Sequence, residues 1–471
     1  MTALTALRLL VAAVTPLAPD ESYYWLWSHA LAPGYPDHPS MVALWIRLGT
    51  ALAGEGSLGV RLLAPLSAAL GSVLLAKAGA DLLGDRRAGV RAAVLLNATL
   101  LFGVGAVTMT PDTPLLFFWT ATLWALGRVV ATGQGRWWLV AGLTAGLALD
   151  SKYTAALLFP SVLLWLALSP DMKPWLRRAA PWLAAALAVA LFAPVVAWNA
   201  GHGWASFVRQ GGRAADWHPA RAAQYLVELV AGQAGLATPL IAVLLVAGVA
   251  HAVRRGRRGD AGMALLALLT VLPAAMFVQH AFGDRVQANW PAVLYPGAAL
   301  AAAALPWRRW MTAGVALGGV LTAAAYAQAA LVILPLPYQL DPTLLRLGGW
   351  PELAQAVGAV AARDGAAFVA ADNYGTAAEL ARLLPPGLPV VGVEPRWGLF
   401  RLPDGRGTIA GRHGLLVVRD GNPPDPADWA ALTPSTVVAR GRDGMVAQRY
   451  RLYDATGRAG PQPAALLPRP R

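Results

Sequence analysis

Apolar residues run in long blocks along most of this chain, broken by short polar joints. A membrane span takes about 20 mainly apolar residues. Blocks of that kind centre near Leu10, Ser72, Leu100, Ala121, Leu143, Leu163, Leu187, Val243, Leu268, Ala298 and Leu321. Proline and glycine interrupt some of them, which membrane helices tolerate. The apolar stretch at 41–53 is too short to span and reads as a helix lying in the interface. Near residue 342 the pattern changes. An amphipathic helix opens at Trp350, a strand follows at 366–372, a helix at 374–384, and then the apolar runs PVVGV and GLLVV. Short strands alternating with helices point to a small α/β domain. The expectation is an all-α polytopic membrane domain of about eleven spans over 1–335, a C-terminal extracytoplasmic α/β domain over 342–460, and a loose Pro-rich tail over 461–471.

Composition sharpens this picture. The 471 residues are 57% hydrophobic and only 13% charged, with a mean hydropathy of +0.49. Soluble domains carry about 25% charged residues. The chain has no cysteine, which excludes disulfides and thiolate metal sites. The first apolar segment shows no cleavage site and reads as an uncleaved anchor.

The formal charge of +13 is dispersed among short loops, at Arg86/Arg87/Arg91, Arg128/Arg136, Lys173/Arg177/Arg178, Arg254/Arg255/Arg257/Arg258 and Arg308/Arg309. These clusters fall on one side of the eleven-span arrangement, as cytoplasmic loops do. The charge therefore reads as topology and lipid contact, not as a nucleic-acid surface.

The opposite side gathers the candidate chemistry. Asp20 and Glu21 follow the first block and lead into the aromatic run YYWLW, spaced as an interfacial helix. Asp37-His38-Pro39 closes the same loop. Asp112 sits in Thr110-Pro111-Asp112, Lys152 in Asp150-Ser151-Lys152-Tyr153, and Arg285 in GDRVQANWP. His202, Arg209, Arg213 and His218 form a weaker basic set. Ionisable groups near hydrocarbon tend to mark function. The structural alternatives are a favoured helix start for Asp20 and Glu21, a solvated turn for Asp112, and a lysine snorkelling toward water at Lys152. The sequence contains no Walker A loop, zinc helix motif or nucleophile elbow. Energy for synthesis outside the cytoplasm then has to arrive in an activated lipid carrier.

The ordered set DE…YYWLW, GYPDHP, MTPDTPLLFFW, SKYT, WNAGHGWASF and NWP resembles the bacterial glycosyltransferases of family 39. These are of GT-C type, similar to protein mannosyltransferases and lipid A aminoarabinose transferases. The resemblance implies sugar transfer from a polyprenyl phosphate to an envelope lipid, glycan or protein at the extracytoplasmic face of a bacterial inner membrane. It maps the acceptor-side acid onto Asp20, with Glu21 beside it, and the second-loop acid onto Asp112. His38 stands where many relatives carry Lys. His38, Lys152 and Arg285 are the candidate phosphate contacts. A divalent metal is left open, with Glu21, Asp37 and Asp112 as candidate ligands. Tyr374, at the end of a predicted strand, is a candidate acceptor contact. A poor hydroxyl nucleophile calls for a carboxylate base, and direct displacement predicts inversion. The alternatives are a transporter or flippase of a lipid-linked sugar, which would place its polar groups near the midplane, and a non-catalytic envelope assembly protein.

Overall fold

A computed structural model of the chain describes residues 1–215, 217–458 and 464–470, with the side chains of 213–215 excepted. Among the described residues, six helices are long and apolar enough to cross a membrane: Ser57–Leu83, Asp112–Thr132, Ala179–Gly201, Pro239–Gly256, Ala261–Ala281 and Arg308–Leu331. The other five expected spans are shorter or broken. Thr2–Val14 is one of these, and an 87° bend separates it from Pro19–His29. Arg136–Leu149, Tyr153–Leu168 and Trp290–Ala303 are short apolar helices. The block near Leu100 splits into Arg86–Asn97 and Leu100–Gly105, because the Thr99 side chain accepts from Phe102 N and starts a new helix. The apolar pattern does not announce Ala222–Ala237, where Gln224, Glu228 and Gln233 interrupt the run.

The chain divides into two compact units. One comprises Met1–Leu9, Pro36–Val42 and Leu63–Ala325; the other comprises Leu10–Tyr35, Ala43–Leu62 and Tyr326–Arg471. In the first, an apolar core centred on Leu115, Trp119, Trp165, Leu266 and Leu300 joins the helices. Gly79 faces Gly89 so closely that a Cβ on either would strike backbone, the small-residue contact that membrane helices favour.

The second unit carries a six-stranded sheet. Its strands are β1 (Val369–Ala371), β2 (Val390–Gly392), β3 (His413–Arg419), β4 (Trp429–Arg442), β5 (Met445–Gly457) and β6 (Ala465–Leu466), in the order β4-β5-β3-β1-β2-β6. β1 is parallel to β2 and β3, and β5 and β6 join antiparallel. Trp350–Arg363 and Tyr374–Leu383 are the expected helices. The β4–β5 hairpin was not anticipated, because its solvent-facing residues hide the alternation. Within the final segment, residues 464–470 are docked rather than loose. Ala465–Leu466 adds a strand to β2, Leu467 is buried, and Arg469 donates to the carbonyls of Leu388, Leu384 and Pro385.

The helix Pro19–His29 departs from expectation as well. Glu21 to Ser28 are all buried. Its aromatic residues pack inside the second unit rather than facing lipid. Tyr23 meets Tyr374 and Trp397 at ring centroid distances of 4.5 and 5.7 Å, and Trp27 stacks on Tyr35 at 4.2 Å. An aromatic run suits a lipid interface and a protein core equally well, so spacing alone does not separate them.

Candidate active site

In the second unit the two adjacent acids have different surroundings. Pro19 opens the helix, a favoured first position. Asp20 in its first turn keeps a side chain 42% exposed. Its Oδ1 accepts from the Tyr374 hydroxyl at 3.0 Å, and Arg346 lies 3.8 Å from Oδ2. Arg396 lies over the Tyr374 ring, 4.2 Å from its centroid. Two candidates that are 354 residues apart thus share one hydrogen bond.

Glu21 is buried and faces away from solvent. Arg61 grips it from Nε and Nη2, and its Oε2 also accepts from Ala18 N at 3.0 Å. Arg61 donates further to Thr15 and Pro16 carbonyls. Such a bidentate pair is strong and geometrically fixed. The structure corrects Glu21 from a proton-transfer candidate to a group that anchors the helix start.

Next to Tyr374, Asn373 caps its helix by accepting from Gly375 N and Thr376 N. The Asp372 carboxyl is raised to about 6 by burial, which Arg419 opposes. Glu379 on the same helix accepts from Ser22 at 2.9 Å; burial raises it to about 7 against the pull of Arg382.

In the first unit, four loops converge. Asp112 is the first residue of Asp112–Thr132, where the helix dipole favours a carboxylate. Lys152 Nζ donates to Asp112 Oδ1 at 2.7 Å, and Asn289 donates to Oδ2 at 2.5 Å. Lys152 and Asp112 are both buried. Lys152 follows Arg136–Leu149 by three residues, in the turn that Asp150 caps. Ser40 donates to both Asp150 oxygens at 3.1 Å, and Met41 N donates to the Asp150 carbonyl at 3.0 Å. This ties the return of the first loop to the Lys152 turn. Burial raises the Asp150 carboxyl to about 7, which the Ser40 hydrogen bonds oppose. Asp37 pairs with Arg209 at 2.7 Å, and Gln210 donates to the Asp37 carbonyl at 2.7 Å. Tyr153 meets Ser206 at 2.6 Å, and Ser206 donates to Asn199.

His38 is half-buried in the same loop as Asp37. Arg285 does not join Lys152. It is 56% exposed and forks onto Glu228 through Nε at 2.6 Å and Nη2 at 2.9 Å. Its neighbour Asn289 reaches Asp112 instead. Arg213 has its side chain outside the described residues. Among the described residues no three His, Cys, Asp or Glu side chains converge as metal ligands. The metal candidates Glu21, Asp37 and Asp112 each sit on a cation of their own.

Residues 37–198 match the family described as dolichyl-phosphate-mannose-protein mannosyltransferase. The lipid A galacturonosyltransferase RgtD of Rhizobium johnstonii is 27% identical over 375 residues, 77% of this chain and 76% of that protein. Over residues 37–198 the chain is similar to glycosyltransferases of the family 39 type. In fold the chain follows ArnT from Cupriavidus metallidurans. The structure of ArnT bound to undecaprenyl phosphate aligns with a TM-score of 0.59 at 15% identity over 98% of each chain. The apo form gives 0.59 at 16% over 97% of each. The fold is GT-C, with many helices and a C-terminal domain on a small sheet.

Several residues beside the candidates, in each unit, escaped the sequence reading. Asp150 and Asn289 stood inside the quoted motifs, each a few positions from the residue chosen. Ser40 directly follows Asp37-His38-Pro39. Arg61 is an isolated charge just ahead of a long apolar block, a signal in its own right.

Proposed function

We propose that the chain transfers a sugar from a polyprenyl-phosphate donor to an envelope acceptor at the extracytoplasmic face of a bacterial inner membrane. The observation that carries this reading is Lys152, a buried ammonium held by Asp112 and flanked by Asn289 where helix ends meet. A preset cation away from bulk water stabilises the charge that grows on a leaving phosphate. Arg209, 38% exposed on Asp37, is a second cation of the same unit. It takes the place given to Arg285 in the sequence reading. ArnT holds undecaprenyl phosphate in its crystal structure, and RgtD carries the name of a lipid A galacturonosyltransferase. Both fit a lipid-linked donor and a lipid acceptor.

The chemistry is a single displacement. An acceptor hydroxyl attacks the anomeric carbon, its proton passes to a carboxylate, and the bond from that carbon to the phosphate oxygen breaks. Polyprenyl phosphate leaves and the configuration inverts. Asp20 is the carboxylate we assign, because it is accessible and fixed by Tyr374, whereas Glu21 is committed to Arg61. Tyr374 and Arg346 then help to position the acceptor. The one-sided basic loops support this orientation.

The test is transfer from purified polyprenyl-phosphate sugar in detergent, run beside a donor-binding assay. Asp20→Asn is expected to bind donor normally and transfer roughly 100-fold or more slowly, the range of general-base catalysis. A folded variant with near wild-type transfer removes Asp20 from the mechanism.

A further inference from the structure

Between the middle of its helices and their basic ends, the first unit holds an apolar cavity of about 180 Å³. Its wall is formed by five helical segments and includes Leu126, Trp138, Ala145, Leu163, Trp182 and Ala185. Leu163 is 50% exposed and Trp182 55%, so the cavity opens between them. Thr122, also in the wall, has its hydroxyl occupied by Phe118 O and Thr144. Trp138 is buried, and its indole N–H has no acceptor among the described residues. A buried indole N–H usually finds one.

The rim is cationic. Leu176 and Pro181 line the cavity, and Arg177 and Arg178 lie between them in the chain. Arg178 stacks over Trp175, 4.6 Å from the ring centroid. Lys173 begins the same short helix, and Arg136 stands two residues before Trp138, over the Trp137 ring at 5.7 Å. Arg136, Lys173, Arg177 and Arg178 are all exposed. Among the described residues no carboxylate forms an ion pair with them; Asp171, also exposed, is the one acid of this loop.

We propose that this cavity binds an acyl chain of an anionic glycerophospholipid whose headgroup rests on Arg177 and Arg178. Apolar volume open between membrane helices suits a hydrocarbon chain. The unpaired arginines supply charge complementarity for a phosphate, as basic pockets between spans do. The Trp138 N–H calls for an oxygen at the base of the chain. A glycerol ester offers that oxygen; the isoprenoid tail of a polyprenyl phosphate does not. The proposal is independent of the transfer chemistry, since none of the residues lining the cavity is among those assigned to donor or acceptor.

The test is native mass spectrometry of the delipidated full-length protein with dioleoyl phosphatidylglycerol, dioleoyl phosphatidylcholine and undecaprenyl phosphate as probes. Phosphatidylglycerol is expected to bind at least 10-fold more tightly than phosphatidylcholine. Ala185→Leu, which fills the cavity, and the double variant Arg177→Gln/Arg178→Gln are each expected to weaken phosphatidylglycerol about 10-fold while leaving undecaprenyl phosphate unchanged. Equal affinity for the two phospholipids, or phosphatidylglycerol binding unmoved in both folded variants, overturns the proposal. So does loss of undecaprenyl phosphate in Ala185→Leu with phosphatidylglycerol retained, which would give the cavity to the donor tail.

Discussion

Glu21→Gln is expected to cost stability where Asp20→Asn does not. Glu21 is buried against Arg61, which donates to it twice, and removing one partner of a buried pair costs about 3–5 kcal/mol. Replacing both, as in Glu21→Leu/Arg61→Met, should cost less than either single change, because no charge is left stranded. Thermal unfolding in detergent checks the order of the three variants. Glu379 gives a prediction in pH. Its folded pKa of about 7 lies above its ordinary value of 4.5. Between those values the unfolded chain has lost the proton that the folded chain keeps, so stability falls as pH rises through this window and is level above it. Glu379→Gln stays neutral and escapes that loss. Its advantage over the wild type should grow from pH 4.5 to 7, by an amount on the order of 1–3 kcal/mol. A pH-independent difference in melting temperature would contradict the burial argument.

Lys152 and Arg285 separate two kinds of helix-end cation. Lys152 is buried in an element junction, and Arg285 is an exposed loop residue paired with Glu228. Lys152→Met should weaken donor binding by roughly 10- to 100-fold, in line with about 1.5–3 kcal/mol for a charged hydrogen bond. It also leaves Asp112 without its cation. Exposed pairs contribute about 0–1 kcal/mol, so Arg285→Ala should shift donor affinity by less than about 5-fold. Titration with the purified donor distinguishes them, and equal losses would return Arg285 to the site. The sequence spoke well for element type here and poorly for partnership. Apolar periodicity located most helices, and acids at span ends located the loops. Which loop residue faces which was illegible, because a turn such as GDRVQANWP offers Asp284, Arg285 and Asn289 within six positions. Only the closed turn sends Asn289 inward. The β4–β5 hairpin and the docked strand at 465–466 were missed for a related reason. Their pairing is long-range, and short amphipathic runs carry little local signal.

At the scale of the whole molecule, charge sorts along single helices. Asp112–Thr132 begins at Asp112 and carries Arg128 in its last turns. Arg136–Leu149 runs from Arg136 to the Asp150 turn. Pro239–Gly256 ends at Arg254 and Arg255. A 21-residue helix is about 32 Å long at 1.5 Å per residue, which is close to a bilayer's hydrocarbon thickness of about 30 Å. Acids and basic clusters held that far apart report on opposite surfaces, and short loops rich in arginine remain cytoplasmic. Among the described residues six helices meet the full span length, yet shorter apolar helices buried among them need not reach both surfaces unaided, so the count of eleven and the orientation are separable questions. The orientation has a direct test, because the chain has no cysteine of its own. Arg258→Cys in a basic turn and Asn422→Cys on the C-terminal domain are both exposed positions. In intact inner-membrane preparations with the outer face accessible, an impermeant maleimide should label Asn422→Cys and leave Arg258→Cys unlabelled until the membrane is opened. Labelling of Arg258→Cys alone would invert the assignment and move Asp20, Asp112 and Lys152 to the cytoplasmic face, where a lipid-linked donor would have no need to be carried across.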